Sequence, residues 1–284
     1  MILPGSYANG FAPRDGQPLY PELWRGCVGA WSPCLGPTGL TLRDCSGYHN
    51  HGTLENMAAA SCWTPSNGRW ALEFDGTNDR VTTGSASESL YDFSDATSRF
   101  TIAMWAMDRS STARSSIVMA KGTAASAAGG YYVDLGQDFS ATDATQGFVS
   151  LYFGSGRWTG VNFPVAANVL QHIAIVVDMT LTGTDRCEVY VNGIRSTGIK
   201  FSQNPLTALA ANSNPITIGN ATTNNLPFNG LLHEISIYQR ALTRGEISIL
   251  AIKPRISYEL APRRRSSSAV QFNRRRRLLV GASL

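Results

Sequence analysis

Four groups of residues in this chain could do chemistry. The acid-bearing strand candidates nearest to a catalytic pattern are Glu73-Phe74-Asp75 and His233-Glu234-Ile235, where general acid–base work would have to reside. Neither stretch supplies a further carboxylate, and the histidines number four: His49, His51, His172 and His233. His172 lies inside an apolar stretch and reads as a core histidine with its hydrogen bonds satisfied. No Gly-x-Ser-x-Gly turn presents a nucleophile. These absences predict a protein that is not an enzyme.

The second group is metal-capable. Cys27, Cys34, Cys45 and Cys62 cluster early and Cys187 stands apart, with no Cys-x-x-Cys pair and no zinc-module spacing. Buried thiols are the expectation, with a Cys27–Cys45 bridge as the alternative if the protein ends up outside a cell. Asp75, Asn78 and Asp79 offer oxygens to calcium, but their spacing is not that of an EF-hand, and an Asx-type turn accounts for them. No cofactor is expected, with calcium the alternative.

The third group is aromatic. Tyr131, Tyr132, Tyr152 and Trp158, near Gly154-Ser155-Gly156-Arg157, are the candidates for an exposed platform on which a glycan could stack. Cross-strand packing is the competing use of the same rings.

The fourth is cationic. The formal net charge of +4 conceals two parts. From Lys253 to Leu284 there are nine basic residues and one acid, Glu259, which leaves 15 basic and 19 acidic side chains for the rest. Arg263, Arg264, Arg265, Arg274, Arg275, Arg276 and Arg277 therefore form an Arg-rich arm on a mildly acidic body. Val270, Phe272, Leu278, Leu279 and Val280 interleave with them, which a purely solvated tail would not need. A docking arm that pairs with acidic neighbours is the first reading, and nucleic-acid contact the second.

The elements that must position these residues read as all-β. Hydrophobic residues make up 43% and charged residues only 15%, with 27 glycines, a mixture rich in turns and able to bury a core. No apolar run approaches the ~18 residues of a membrane span, and Met1-Ile2-Leu3-Pro4-Gly5 lacks the basic and apolar regions of an export signal. Short apolar or alternating stretches recur between turn signals, including Phe100–Met107, Tyr131–Leu135, Phe148–Phe153, Gly160–Phe163, His172–Asp178, Glu188–Val191 and Leu231–Tyr238. Phe100–Met107 and His172–Val177 are apolar on both faces and so suit central strands whose second face is also covered or forms a groove. Asn192-Gly193 predicts a type I′ hairpin. Thr243 with Glu246 predicts a capping box, stapled by Leu242 and Ile247, for one short helix over 244–252 stopped by Pro254. The expected organisation is an extended N-terminal arm (1–22), a sandwich (23–252) and the Arg-rich C-terminal arm (253–284).

Six segments in sequence resemble the laminin-G-like, concanavalin A-like lectin/glucanase superfamily. They are Val28-Gly29-Ala30-Trp31 with Leu42-Arg43-Asp44-Cys45-Ser46-Gly47-Tyr48-His49-Asn50-His51-Gly52-Thr53-Leu54; Gly68-Arg69-Trp70-Ala71-Leu72-Glu73-Phe74-Asp75-Gly76-Thr77-Asn78-Asp79; Phe100-Thr101-Ile102-Ala103-Met104-Trp105; Gln171-His172-Ile173-Ala174; Val189-Tyr190-Val191-Asn192-Gly193; and Phe228-Asn229-Gly230-Leu231-Leu232-His233-Glu234-Ile235-Ser236-Ile237-Tyr238 before Arg240-Ala241-Leu242-Thr243. The resemblance implies a jelly-roll sandwich of two antiparallel sheets. Within it, Asp44 and Ser46-Gly47 resemble a turn that satisfies buried backbone groups, and Asp75–Asp79 a hairpin turn between two core strands. The glucanase branch uses a Glu-x-Asp-x-(x)-Glu strand, which this chain lacks. More loosely, Gly10-Phe11-Ala12-Pro13-Arg14-Asp15-Gly16 and Leu260-Ala261-Pro262-Arg263 are similar to segments of tailed-phage particle proteins. The combined expectation is a non-enzymatic display protein of a virus particle, a decoration or fibre-like component. Its arms would bind other virion proteins, it would be oligomeric in the assembly, and it would have no membrane contact. The alternative is a lectin or adhesion module that binds host-surface glycan.

Overall fold

The computed structural model describes residues 18–84, 90–110, 116–122, 130–136, 145–152, 158–198, 200–203, 209, 211, 213–221 and 226–260. Its strands are β1 (Cys27–Trp31), β2 (Thr41–Leu42), β3 (Gly52–Glu55), β4 (Trp63–Ser66), β5 (Arg69–Asp75), β6 (Arg80–Thr83), β7 (Arg99–Asp108), β8 (Ile117–Lys121), β9 (Gly130–Leu135), β10 (Gln146–Tyr152), β11 (Trp158–Pro164), β12 (Gln171–Asp178), β13 (Cys187–Val191), β14 (Ile194–Arg195), β15 (Lys200–Gln203), β16 (Ile216–Ile218) and β17 (Asn229–Tyr238). One α-helix follows, α1 (Arg244–Leu250).

The strands form two antiparallel sheets. The eight-stranded sheet runs β14-β13-β12-β7-β17-β5-β4, with β1 on the same edge of β17 as β5. The nine-stranded sheet runs β15-β11-β10-β9-β8-β16-β6-β3-β2. Alternate residues from each sheet meet between them: Phe74, Ile102, Met104, Ile173, Ile175, Leu232, Ile235 and Ile237 from one, and Val81, Val133, Val149, Leu151, Val161, Phe163 and Ile218 from the other. This is the sandwich that the strand pattern predicts, in the jelly-roll arrangement that the family resemblance implies. Gly219, at φ +84°, lies so close to the Phe74 ring that a side chain there would overlap it.

The doubly apolar strands β7 and β12 are neighbours near the middle of the eight-stranded sheet. Their outer face is covered by the chain itself, as Ala103, Ala174, Tyr190 and Tyr238 pack with Leu23, Trp24, Leu242, Ile247, Leu250 and Ile256. The hairpin of β13 and β14 turns at Asn192 (φ 50°) and Gly193 (φ 80°), both in the left-handed region that a type I′ turn requires. Helix α1 begins in the capping box: the Thr243 hydroxyl accepts from the Glu246 N–H, and the Glu246 carboxylate accepts from the Thr243 N–H.

Three expectations need correction. The Asp75–Asp79 turn is not a hairpin: β5 pairs with β4 and β17 and β6 with β3 and β16, so the turn carries the chain from one sheet to the other. The packed body also extends past both expected boundaries. A 3₁₀ turn at Pro21–Trp24 and another at Ile256–Tyr258 join the layer over the eight-stranded sheet, where the Trp24 indole N–H donates to the Ser257 carbonyl (2.8 Å). Finally, His172 is buried, but its Nδ1 has no hydrogen-bond partner among the described residues, and burial pushes its imidazole down to about 3.

Candidate binding face on the nine-stranded sheet

Successive residues of a strand point to opposite faces, so Tyr131 and Tyr132 cannot share one. Tyr131 points into the sandwich, 2% exposed, close to Phe93 and Phe100, with its hydroxyl donating to the Tyr91 carbonyl (3.2 Å). Its expected place on an exposed platform is therefore corrected: the pleat assigns it to the core. Tyr132 lies on the outer face, half-buried, with the Phe148 ring edge-on at 5.5 Å.

Register assembles the surroundings of Tyr132. Its cross-strand partners are Ala120 on β8 and Ser150 on β10, and beyond Ser150 comes Gly160 on β11. The next row on the same face is Ile117, Asp134, Phe148 and Asn162. Positions 152 and 158, the remaining two expected aromatics, pair with each other two residues along from Ser150 and Gly160. The pleat thus gives three of the four expected aromatic positions to one face, with small residues between them.

Polar groups are built into this face. Asp134 is fully buried, and both its carboxylate oxygens lie 3.1 Å from the Ser116 N–H, which ties β9 to the start of β8. Asn162 is nearly buried, and the Gly198 backbone passes so close to it that any side chain at 198 would overlap the Asn162 carbonyl. On the far flank, Ala221 and Leu226 pack on Ile117 and Ala120, held because the Asn220 side-chain oxygen accepts from the N–H groups of both Ala221 (2.8 Å) and Leu226 (2.9 Å). Arg80 pairs with Glu55 beside them. The sequence reading missed Phe148, Asp134 and Asn162, although the alternation in 131–135 already places Asp134 on the face of Tyr132.

The chemistry weighed elsewhere is otherwise engaged. Glu73 pairs with Arg109 at 2.5 Å. Asp75 accepts from the Thr77 N–H (2.7 Å) and Asp79 from the Asp75 N–H (2.9 Å), as in an Asx turn. Asp44 accepts from the N–H groups of Ala30, Ser46 and Asn50, the backbone-satisfying turn that the resemblance implies. All five cysteines are buried thiols. Among the described residues, no three His, Cys, Asp or Glu side chains are grouped to hold a metal ion, and no helix is long and apolar enough to cross a membrane. The arginines after Leu260, Arg263–Arg265 and Arg274–Arg277, lie outside the described residues.

A family profile described as the concanavalin A-like lectin/glucanases superfamily matches residues 64–248, well over half of the chain. The chain belongs to this superfamily. No curated protein matches it. Solved structures with the same fold include the binding domain of Paraclostridial Mosquitocidal Protein 1 (19% identity, 81% of this chain and 52% of that one, TM-score 0.55). Others are the binding domain of botulinum neurotoxin serotype G (15%, 79% and 50%, 0.56) and domain 4 of AbnA, a GH43 extracellular arabinanase from Geobacillus stearothermophilus, in complex with arabinotriose (17%, 79% and 98%, 0.56). This superfamily member spans about half the length of the two toxin domains and nearly all of the arabinanase domain. The shared feature is the fold; the first two neighbours are titled binding domains, and the third was solved with arabinotriose.

Proposed function

We propose that this chain is a non-catalytic carbohydrate-binding module that uses the outer face of β9, β10 and β11. The observation that carries the reading is Tyr132, with Phe148 edge-on, in a row with Ser150 and Gly160 and beside Asp134 and Asn162. A ring beside small residues leaves room for a sugar to stack on its face. The arabinanase domain, solved with arabinotriose, supports this use of the fold. A glycan panel that includes arabino-oligosaccharides provides the test. Tyr132→Ala and Trp158→Ala should each lose tenfold or more in affinity, and wild-type binding by both would end the proposal.

A second reading concerns where the module is held. The segments that lead to the two arms leave the body side by side, since Pro18 bridges Leu260 and the Leu19 N–H donates to the Glu259 carbonyl (2.6 Å). They leave from the layer over the eight-stranded sheet, and the candidate face belongs to the opposite sheet. Such a body can be fastened by both arms and still present its binding face outward. With seven arginines after Leu260, the fitting occupation is display on a virus particle. Density-gradient fractionation tests it: the full chain should travel with particles, and a variant truncated after Leu260 should not. Loss of neither or both would reject the arm as the anchor.

A further inference from the structure

The layer over the eight-stranded sheet contains a second chemical feature that neither proposal uses. In β17 the register slips between Leu232 and Glu234, which pair with Ala106 and Trp105, so His233 is the extra residue of a β-bulge. His233 is fully buried with neither ring nitrogen partnered, and Glu234 is 6% exposed. The Glu234 carboxylate accepts from the Arg255 N–H at 2.8 Å, and Arg255 stands in the left-handed region at φ 69°. Arg255 opens the 3₁₀ turn at Ile256–Tyr258. That turn receives the Trp24 N–H at Ser257 and sets Tyr258 edge-on to Trp24 at 5.0 Å. Next come the Glu259 carbonyl and Leu260, which hold Leu19 and Pro18. One buried carboxyl thus begins a continuous series of contacts that ends where the two arms emerge.

From this geometry we infer that Glu234 is a proton-operated latch on the segment from Pro254 to Leu260, closed when its carboxyl is protonated and loosened when it ionises. The groups facing it are Arg69 on β5, the backbone of Arg255, the thiols of Cys27, Cys34 and Cys45, and the phenols of Tyr238 and Tyr258. Burial pushes Cys34 and Cys45 up to about 12 and raises Cys27 and both tyrosines, so these stay neutral in the physiological range. Burial also pushes Glu234 up to about 7, against the Arg255 N–H and the Arg69 charge, and lowers His233 to about 4. Opening to water returns the carboxyl toward its ordinary 4.5, so the closed form loses its advantage as pH rises from about 4.5 to about 7. His233 acts in the opposite sense, favouring closure as pH rises from about 4 toward its ordinary 6.5.

Hydrogen exchange of the full chain, corrected for intrinsic rates, separates the two. Between pH 5.5 and 8.5, protection of peptides covering 253–260 and 18–24 should fall about tenfold in the wild type relative to Glu234→Gln, which keeps the acceptor and loses the charge. Equal pH responses in the two proteins would overturn the latch. If Glu234→Gln does not fold, carboxyl-carbon NMR of the wild type decides. One glutamate should titrate near pH 7, and a full set of ordinary glutamate titrations would refute the inference.

Discussion

The outer faces of the two sheets start from the same pleated backbone and reach opposite ends. On the eight-stranded sheet the outward residues are largely small or apolar, Ala103, Ala174, Tyr190 and Tyr238, and the chain's own helix and 3₁₀ turns settle on them. On the nine-stranded sheet they are Tyr132, Asp134, Phe148 and Asn162, with Ser150 and Gly160 between. A second apolar face recruits a cover from the same chain, because leaving that area in water costs about 25 cal/mol per Å². A face that carries the Tyr132–Phe148 ring pair among polar and small residues has less apolar area to recruit such a cover.

Neighbouring tyrosines give the largest test of this contrast. Tyr131→Ala should cost about 3–5 kcal/mol, since it removes a buried ring packed against Phe93 and Phe100. Chemical denaturation would measure it, and a loss below about 1 kcal/mol would place Tyr131 outside the core. Tyr131→Phe isolates the hydrogen bond to Tyr91 and should cost about 1 kcal/mol.

The cover of the eight-stranded sheet can be broken at one side chain. Arg240 donates to the Arg25 carbonyl (2.7 Å), the Glu22 carbonyl (3.1 Å) and both oxygens of Glu246, tying the first 3₁₀ turn to the helix. Arg240→Ala removes these ties and leaves the nearly buried Glu246 without its cation, an expected loss of about 3 kcal/mol with wild-type glycan binding by the fraction that stays folded. Although burial opposes it, Arg240 and the capping contacts of Thr243 hold the Glu246 carboxyl down to about 2. A depressed carboxylate stabilises the fold above its ordinary 4.5 and loses that contribution as pH falls toward about 2. Thermal unfolding followed from pH 5 to pH 2 should therefore show a shallower acid decline in Arg240→Ala than in the wild type; parallel curves would dissociate this pair from acid stability.

Most of the architecture was legible in the sequence because it rests on local rules. Asn192-Gly193 dictates its turn, Thr243 and Glu246 their capping box, and the two-sided apolarity of Phe100–Met107 and His172–Val177 a covered central position. Strands β3 and β4 escaped because they are four residues each, and Thr53, Glu55, Pro65 and Ser66 dilute their apolar signal. The turn after Asp75 misled because its chemistry is the same whether the next strand pairs or crosses to the other sheet, and that choice is made by long-range partners. The proposed face was half legible: the aromatic cluster lies on the same three strands, while Asn162 comes beside Asp134 only through the pairing of β9, β10 and β11. The Glu234 latch was beyond sequence reach, since a bulge and a contact with residue 255 have no local signature.

The smallest expected effect on stability is the one that sharpens the contrast most. Tyr132→Ala removes a half-buried ring from a face with no apolar cover over it among the described residues except Ala221 and Leu226, so it should cost about 1 kcal/mol or less, several-fold below Tyr131→Ala. Its effect on glycan affinity should be the reverse, large where that of Tyr131→Phe is absent. Stability and binding measured on these variants form a crossed pair: one residue matters for folding, its neighbour for recognition. If Tyr132→Ala instead destabilised as much as Tyr131→Ala, the outer face of the nine-stranded sheet would be a second covered layer, and the two sheets would differ only in which part of the chain covers them.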